Sequence, residues 1–137
     1  MDIWNAQKRS SCMSKIKGSN TKPEIALRSA LHRAGFRFRT NVKKLPGKPD
    51  IVLKKYNLII FVHGCFWHHH EGCKNANFPK SNREFWYAKI SITMERDHLK
   101  TEQLQTAGWK VRIVWECEIE KNLPLVVERI KSITAAF

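Results

Sequence analysis

Between Cys65 and Cys73 the chain reads Cys-Phe-Trp-His-His-His-Glu-Gly-Cys, and a further thiol, Cys117, follows the run that ends at Trp115. Two thiols and the imidazoles of His68, His69 and His70 therefore crowd into one short loop. Thiolate sulfur and neutral imidazole are the donors that a structural zinc ion takes in closed tetrahedral coordination. Cys65, His70, Cys73 and Cys117 make one such Zn2+ site, with His69 as the other candidate imidazole. The ion would fasten the loop to the far end of a sheet, in place of a core too small to order it. Buried thiols acting only as small hydrophobes would need no histidine beside them. Cys12, alone in a basic segment, is expected to be a free thiol.

A second group has the makings of a hydrolytic centre. Asp50 follows Pro46-Gly-Lys-Pro49 and opens an apolar run, while His63 closes the next one. A carboxylate and an imidazole on neighbouring strands can meet at one edge of a sheet. In phosphodiester hydrolysis a carboxylate holds Mg2+, the cation polarises the phosphate and acidifies a water, and an imidazole moves the proton. Asp97, within Glu95-Arg-Asp97-His98, can orient a histidine of the metal loop. Taken singly, each has a plainer reading, since aspartate after proline is common in turns and a strand-terminal histidine is usually only hydrogen-bonded.

The elements that must carry these groups follow from pattern. Thr21-Lys-Pro-Glu24 reads as a capping box with proline in the first turn, opening a helix that runs to Gly35. Phe36 to Thr40 alternates apolar and basic residues, as a half-buried strand does. Asp50 to Leu53 and Leu58 to His63 read as strands of a hairpin, and residues 64–81 as irregular. A long helix is predicted from about Asn82 to Ala107, a strand from Trp109 to Trp115, and a last helix from about Pro124 to Ile133. The expectation is one α/β domain over 20–137, a mixed central sheet flanked by helices, preceded by a basic arm over 1–19 that forms a short helix on its partner.

Composition points to a polyanion. The 137 residues carry a formal net charge of +13, concentrated in the first two thirds of the chain. Each Lys or Arg that neutralises a phosphate releases a counterion, which gives affinity independent of sequence. No apolar run approaches the roughly 20 residues of a membrane helix, and no secretory leader is evident, so a cytoplasmic, intracellular protein with reduced thiols is expected.

The stretches Lys-Gly-Ser-Asn-Thr-Lys-Pro-Glu, Leu-Pro-Gly-Lys-Pro-Asp-Ile-Val, Val-His-Gly-Cys-Phe-Trp-His-His-His, Arg-Glu-Phe-Trp and Gly-Trp-Lys-Val-Arg-Ile-Val-Trp-Glu-Cys together resemble the very-short-patch-repair (Vsr) DNA mismatch endonucleases over nearly the whole chain. The resemblance implies a restriction-endonuclease-like fold with structural zinc. It implies a Mg2+-dependent nick in double-stranded DNA on the 5′ side of the thymine in a T:G mismatch, the product of 5-methylcytosine deamination. It makes Asp50 the Mg2+ ligand with the main-chain carbonyl of Val62, His63 and His68 catalytic, His68 the general acid/base oriented by Asp97, and Glu24 the holder of metal-bound water. Phe66, Trp67 and Trp86 would wedge into DNA from the major groove, Met13 would enter opposite, and Lys89 and Thr93 would face the mispaired bases. Phe85, by contrast, is expected in the core.

Three positions depart from the family pattern. Glu71-Gly72 puts two residues between His70 and Cys73 where one is usual, Val62 stands in place of a threonine, and Thr93 in place of an asparagine. Expected partners are a mismatch-bearing duplex, acted on by a monomer, with a companion cytosine methyltransferase and mismatch-repair proteins. A restriction-type nuclease indifferent to mismatches, and a non-catalytic zinc-stabilised DNA-binding domain with Asp50 merely capping a turn, are the other readings of the same features.

Overall fold

The computed structural model describes residues 21–136. Met13, Cys12 and the arm over 1–19 lie outside the described residues. The element order is α1 (Lys22–Arg33), β1 (Arg39–Thr40), β2 (Ile51–Leu53), β3 (Leu58–His63), α2 (Arg83–Thr106), β4 (Lys110–Trp115) and α3 (Glu116–Ala135), with short 3-10 turns at Lys54–Tyr56 and Lys74–Ala76.

The strands form one mixed sheet in the order β1-β2-β3-β4. β2 and β3 pair antiparallel, Leu53 facing Leu58 and Ile51 facing Ile60. Asn57 closes that hairpin in the left-handed region at φ 50, which asparagine tolerates better than other side chains. β4 pairs parallel to β3, and α2 makes the crossover that a parallel pair requires. No helix among the described residues is long and apolar enough to cross a membrane.

Strand alternation divides the core in two. Ile51, Leu53, Leu58, Ile60 and Val114 turn to the side where Leu27 and Leu31 of α1 and Val126, Val127 and Ile130 of α3 pack. Val52, Ile59, Phe61 and Val111 turn to the other side, against Leu104 of α2. Of the side chains of α2 only Ile90 and Leu104 are buried, so this helix covers the sheet near its end and stands largely in solvent along the rest.

Three local expectations need correction. The strand expected over Phe36 to Thr40 shortens to Arg39–Thr40, because Phe36 is drawn into the α1/α3 core and its amide closes onto Leu31 O at 3.0 Å. Thr21 makes no side-chain cap bond, and Glu24 is buried at the floor of a cleft. The last helix starts at Glu116, ahead of Pro124, because Glu118 accepts the Trp115 amide at 3.1 Å and begins a first turn directly from the strand. A kink at Asn122 separates that turn from the main segment, where the Asn122 side chain accepts the Leu125 amide at 3.2 Å.

Candidate active site

β3 and β4 run parallel, so their carboxyl ends, His63 and Trp115, lie side by side. β2 runs against them, which brings its start to the same edge. The hairpin register sets Asp50 opposite this end, and its Oδ2 accepts the Val62 amide at 2.6 Å. Glu24 comes in from the first turn of α1, Asp97 from the middle of α2, and Glu116 from the start of α3. These residues, with Val62, His63 and His68, line one cleft of about 650 Å³. In open α/β sheets this is where ligands bind.

His63 and His68 meet at the centre, their rings stacked at 3.8 Å between centroids and 10° between planes. His68 Nδ1–H donates to Asp97 Oδ2 at 2.6 Å, which fixes the tautomer and leaves Nε2 for other work. His63 is buried, with Phe61 and Trp115 flanking its ring. Burial, helped by the neighbouring His68, lowers the pKa of His63 to about 4, so it is uncharged at neutral pH. The ligand atoms of His63, His68 and Asp97 lie within 4.8 Å of one another. Parallel rings nonetheless point their in-plane lone pairs along separate planes, which suits proton transfer better than a shared ion.

The pKa of Asp50 is pushed up to about 7, first by burial and further by the nearby Glu24 carboxylate, against the pull of the Val62 amide. Two carboxylates close enough to repel each other favour a hard divalent cation with oxygen ligands. Asp50 with the main-chain oxygen of Val62 fits such an ion by its donor chemistry.

The thiol group is distinct from this. One ligand atom each from Cys65, His70, Cys73 and Cys117 lies within 4.8 Å of all the others. His70 Nδ1 stands 3.6 Å from Cys65 Sγ and 3.3 Å from Cys117 Sγ, and its ring stacks on Trp115 at 4.3 Å. His69 turns away: its φ is 51, its ring faces Phe78, and its Nδ1 is buried without a hydrogen-bond partner among the described residues. Of the two candidate imidazoles, the loop thus delivers His70 to the sulfurs, and the extra residue before Cys73 is taken up by a turn through Gly72 at φ 77. Burial raises Cys65 to about 12 and raises Cys117 as well, as crowded thiols without a counter-charge require. Three sulfurs and an imidazole in this proximity fit Zn2+.

The aromatic residues form a third group beside the cleft. Phe66, Trp67 and Trp86 touch edge to face at 5.2, 5.4 and 5.9 Å, and Lys89 Nζ sits over the Trp67 ring at 5.7 Å. The Thr93 hydroxyl bonds back to Lys89 O at 3.2 Å within α2. Phe85 corrects the expectation of a core residue. It is 58% exposed and packs on Trp86 at 5.2 Å, because the start of α2 projects past the sheet and has no layer to cover it among the described residues.

Sequence reasoning missed Glu116, which accepts the Cys65 amide at 3.1 Å and so ties the metal loop to the cleft. Its place beside Cys117 was the available signal. Lys48, Lys100 and Thr101 also line the cleft and carried no signal of their own.

A model of the DNA mismatch endonuclease Vsr family matches residues 1–75. The chain is 47% identical to the Type II nicking enzyme V.NmeAIP of Neisseria meningitidis, over 94% of this chain and 91% of that protein. It is 42% identical to the Type II nicking enzyme V.XorIIP of Xanthomonas oryzae, over 96% of both. To the DNA mismatch endonuclease Vsr of Escherichia coli it is 40% identical, over 94% of this chain and 82% of that protein.

Proposed function

We propose that this chain, which belongs to the DNA mismatch endonuclease Vsr family and is a DNA endonuclease, nicks double-stranded DNA on the 5′ side of the thymine in a T:G mismatch by Mg2+-dependent hydrolysis. The observation that carries this reading is the convergence of Asp50, His63, His68 and Asp97 in one cleft. The surrounding architecture is that of a restriction-endonuclease-like domain over 20–137, with the basic arm over 1–19 ahead of it.

Asp50 and the Val62 carbonyl would hold Mg2+, which when bound would polarise the phosphate and make a nearby water more acidic. The remaining work falls to the side chains. Glu24 would orient the attacking water beside Asp50. His68, its Nδ1 committed to Asp97, would use Nε2 as the general acid/base, taking a proton from the attacking water as the new O–P bond forms, while the departing oxygen leaves with the electron pair of the broken bond and takes up a proton from solvent. His63, shielded and uncharged, would brace the His68 ring from beneath. Zn2+ on Cys65, His70, Cys73 and Cys117 would keep the loop that carries His68 in register with the sheet.

Recognition would precede chemistry. Phe66, Trp67 and Trp86 would wedge from the major groove and Met13 from the arm, at an unstacking cost of a few kcal/mol offset by stacking. A T:G wobble is already poorly stacked and deforms more cheaply than a matched pair. Lys89 and Thr93 would face the exposed bases. The enzyme would act as a monomer in the cytoplasm on mispairs that arise when 5-methylcytosines made by a companion cytosine methyltransferase deaminate, with mismatch-repair proteins completing the repair.

The test is an incubation of the purified chain with Mg2+ and two duplexes, one with a T:G pair and one with C:G at the same position. One nick, 5′ of the thymine and only in the mismatched duplex, is expected. Equal cutting of both, or of neither, overturns the reading.

A further inference from the structure

The cleft carries the carboxylates of Glu24, Asp50, Asp97 and Glu116, and a phosphodiester brought among them meets strong repulsion unless cations face it. The nearby Arg28 donates Nε–H to Glu24 O within α1 at 3.4 Å. The lysines of the cleft are Lys48 and Lys100. Both residues line the cleft, and neither forms an ion pair among the described residues.

The two lysines belong to elements far apart in sequence that the fold presses together. Lys100 lies on α2 one turn beyond Asp97 and so on the same face. Lys48 sits in the turn that leads into Asp50. A Cβ built on Gly47 would stand 3.2 Å from Lys100 Cβ and 3.2 Å from the Phe61 ring, so a side chain there would press on both, and at φ 77 it would also be strained; glycine suits this close approach to α2. The next residue, Lys48, is itself held at φ 49, a region lysine seldom adopts, with its amide closed onto Leu45 O at 3.1 Å. The turn therefore carries a lysine in a strained conformation on the wall of the cleft that Lys100 also lines.

We propose that Lys48 and Lys100 form a two-point phosphate clamp that grips the DNA backbone beside the bond to be cut. The clamp rests on the nuclease reading above and deepens it by naming where the cleft holds its polyanionic substrate. Its two cations would add to the proposed Mg2+ in offsetting the carboxylates of the cleft. Because phosphate contacts fix register without reading sequence, the clamp would set which phosphodiester enters the cleft.

The experiment measures binding of the full chain to a fluorescent T:G duplex over a series of salt concentrations, with Ca2+ replacing Mg2+ so that cutting does not follow. Lys48→Gln, Lys100→Gln and the double variant are compared with the parent; at position 100 glutamine keeps the Cβ and Cγ that pack on Gly47. Each substitution is expected to make the slope of log affinity against log salt shallower by about 0.9, and the pair by about 1.8. Lys48→Arg and Lys100→Arg should restore the parent slope. A double variant with the parent slope overturns the clamp, and if the parent binds steeply and nicks, the nuclease reading still stands. A parent that neither binds nor nicks overturns both.

Discussion

The rings of His63 and His68 lie face to face at 3.8 Å, although one ends a strand and the other sits in the metal loop. The buried, uncharged ring of His63 is a fixed platform, and His68 rests on it with Nδ1 pinned to Asp97. Trp115 links this pair toward the thiols, its indole edge-to-face with His63 at 5.3 Å and stacked on His70 at 4.3 Å. The Cys/His loop and the cleft are thereby one mechanical unit.

In the proposed mechanism Asp97 holds the His68 tautomer through the 2.6 Å contact with Nδ1. Asp97→Asn keeps the size of the side chain but can accept a hydrogen bond from Nδ1 only weakly, and it permits the wrong tautomer. Single-turnover nicking should fall roughly 100- to 10,000-fold with the duplex affinity little changed. An unaltered rate would remove Asp97 from the mechanism.

The two shifted groups make opposing contributions to stability against pH in the metal-free protein. Asp50 binds its proton more tightly folded than unfolded, so its contribution is present below about pH 4 and lost as pH rises to about 7. His63 binds its proton less tightly folded, so its contribution is present above about 6.5 and lost as pH falls to about 4. The two partly cancel. In Asp50→Asn only the His63 contribution remains, and urea unfolding midpoints should climb between about pH 4 and about 6.5 more steeply than in the parent. Above about pH 7 the Asp50→Asn variant should be the more stable protein without metal, and Mg2+ should stabilise the parent alone. Parallel pH curves for the two proteins would contradict this.

Removal of zinc should act on the loop before the core. A chelator, or Cys117→Ser, is expected to lower Tm and to abolish hydrogen-exchange protection over 64–81, while Leu27, Ile60 and Ile130 of the α1/α3 core stay protected. A protein that carries no zinc by elemental analysis, with the same Tm with and without chelator, would rule the ion out.

The aromatic group should carry mismatch selectivity. Trp67→Ala is expected to weaken T:G duplex binding by roughly 1–3 kcal/mol, the worth of one stacked base, and matched duplex binding by less. Phe85→Ala tests whether the exposed extension of the cluster adds to it. Equal losses on both duplexes for Trp67→Ala would make the cluster a general contact rather than a sensor.

The cysteine and histidine spacing and the Asp50–His63 hairpin were legible because each is local or depends on one strand pairing. Glu116, Lys48 and Lys100 were not, because glutamate and lysine occur on every surface and these reach the cleft only through the packing of α2 and α3 on the sheet edge. Phe85 misled because helical spacing marks a face without saying whether anything covers it, and here nothing among the described residues does. The first turn of α3 was hidden because Trp115-Glu-Cys reads as the tail of a strand, while Glu118 caps a helix there.

The hydrolytic centre is tested most directly by measuring, in one reaction mixture, binding and nicking of a T:G duplex by Asp50→Ala beside the parent. Duplex affinity within about twofold of the parent, together with loss of the nick at every Mg2+ concentration, is the predicted result, since the site loses its cation ligand and keeps its DNA-facing surface. Nicking at the parent rate by the variant would show that the cleft around Asp50 is not where the bond is broken.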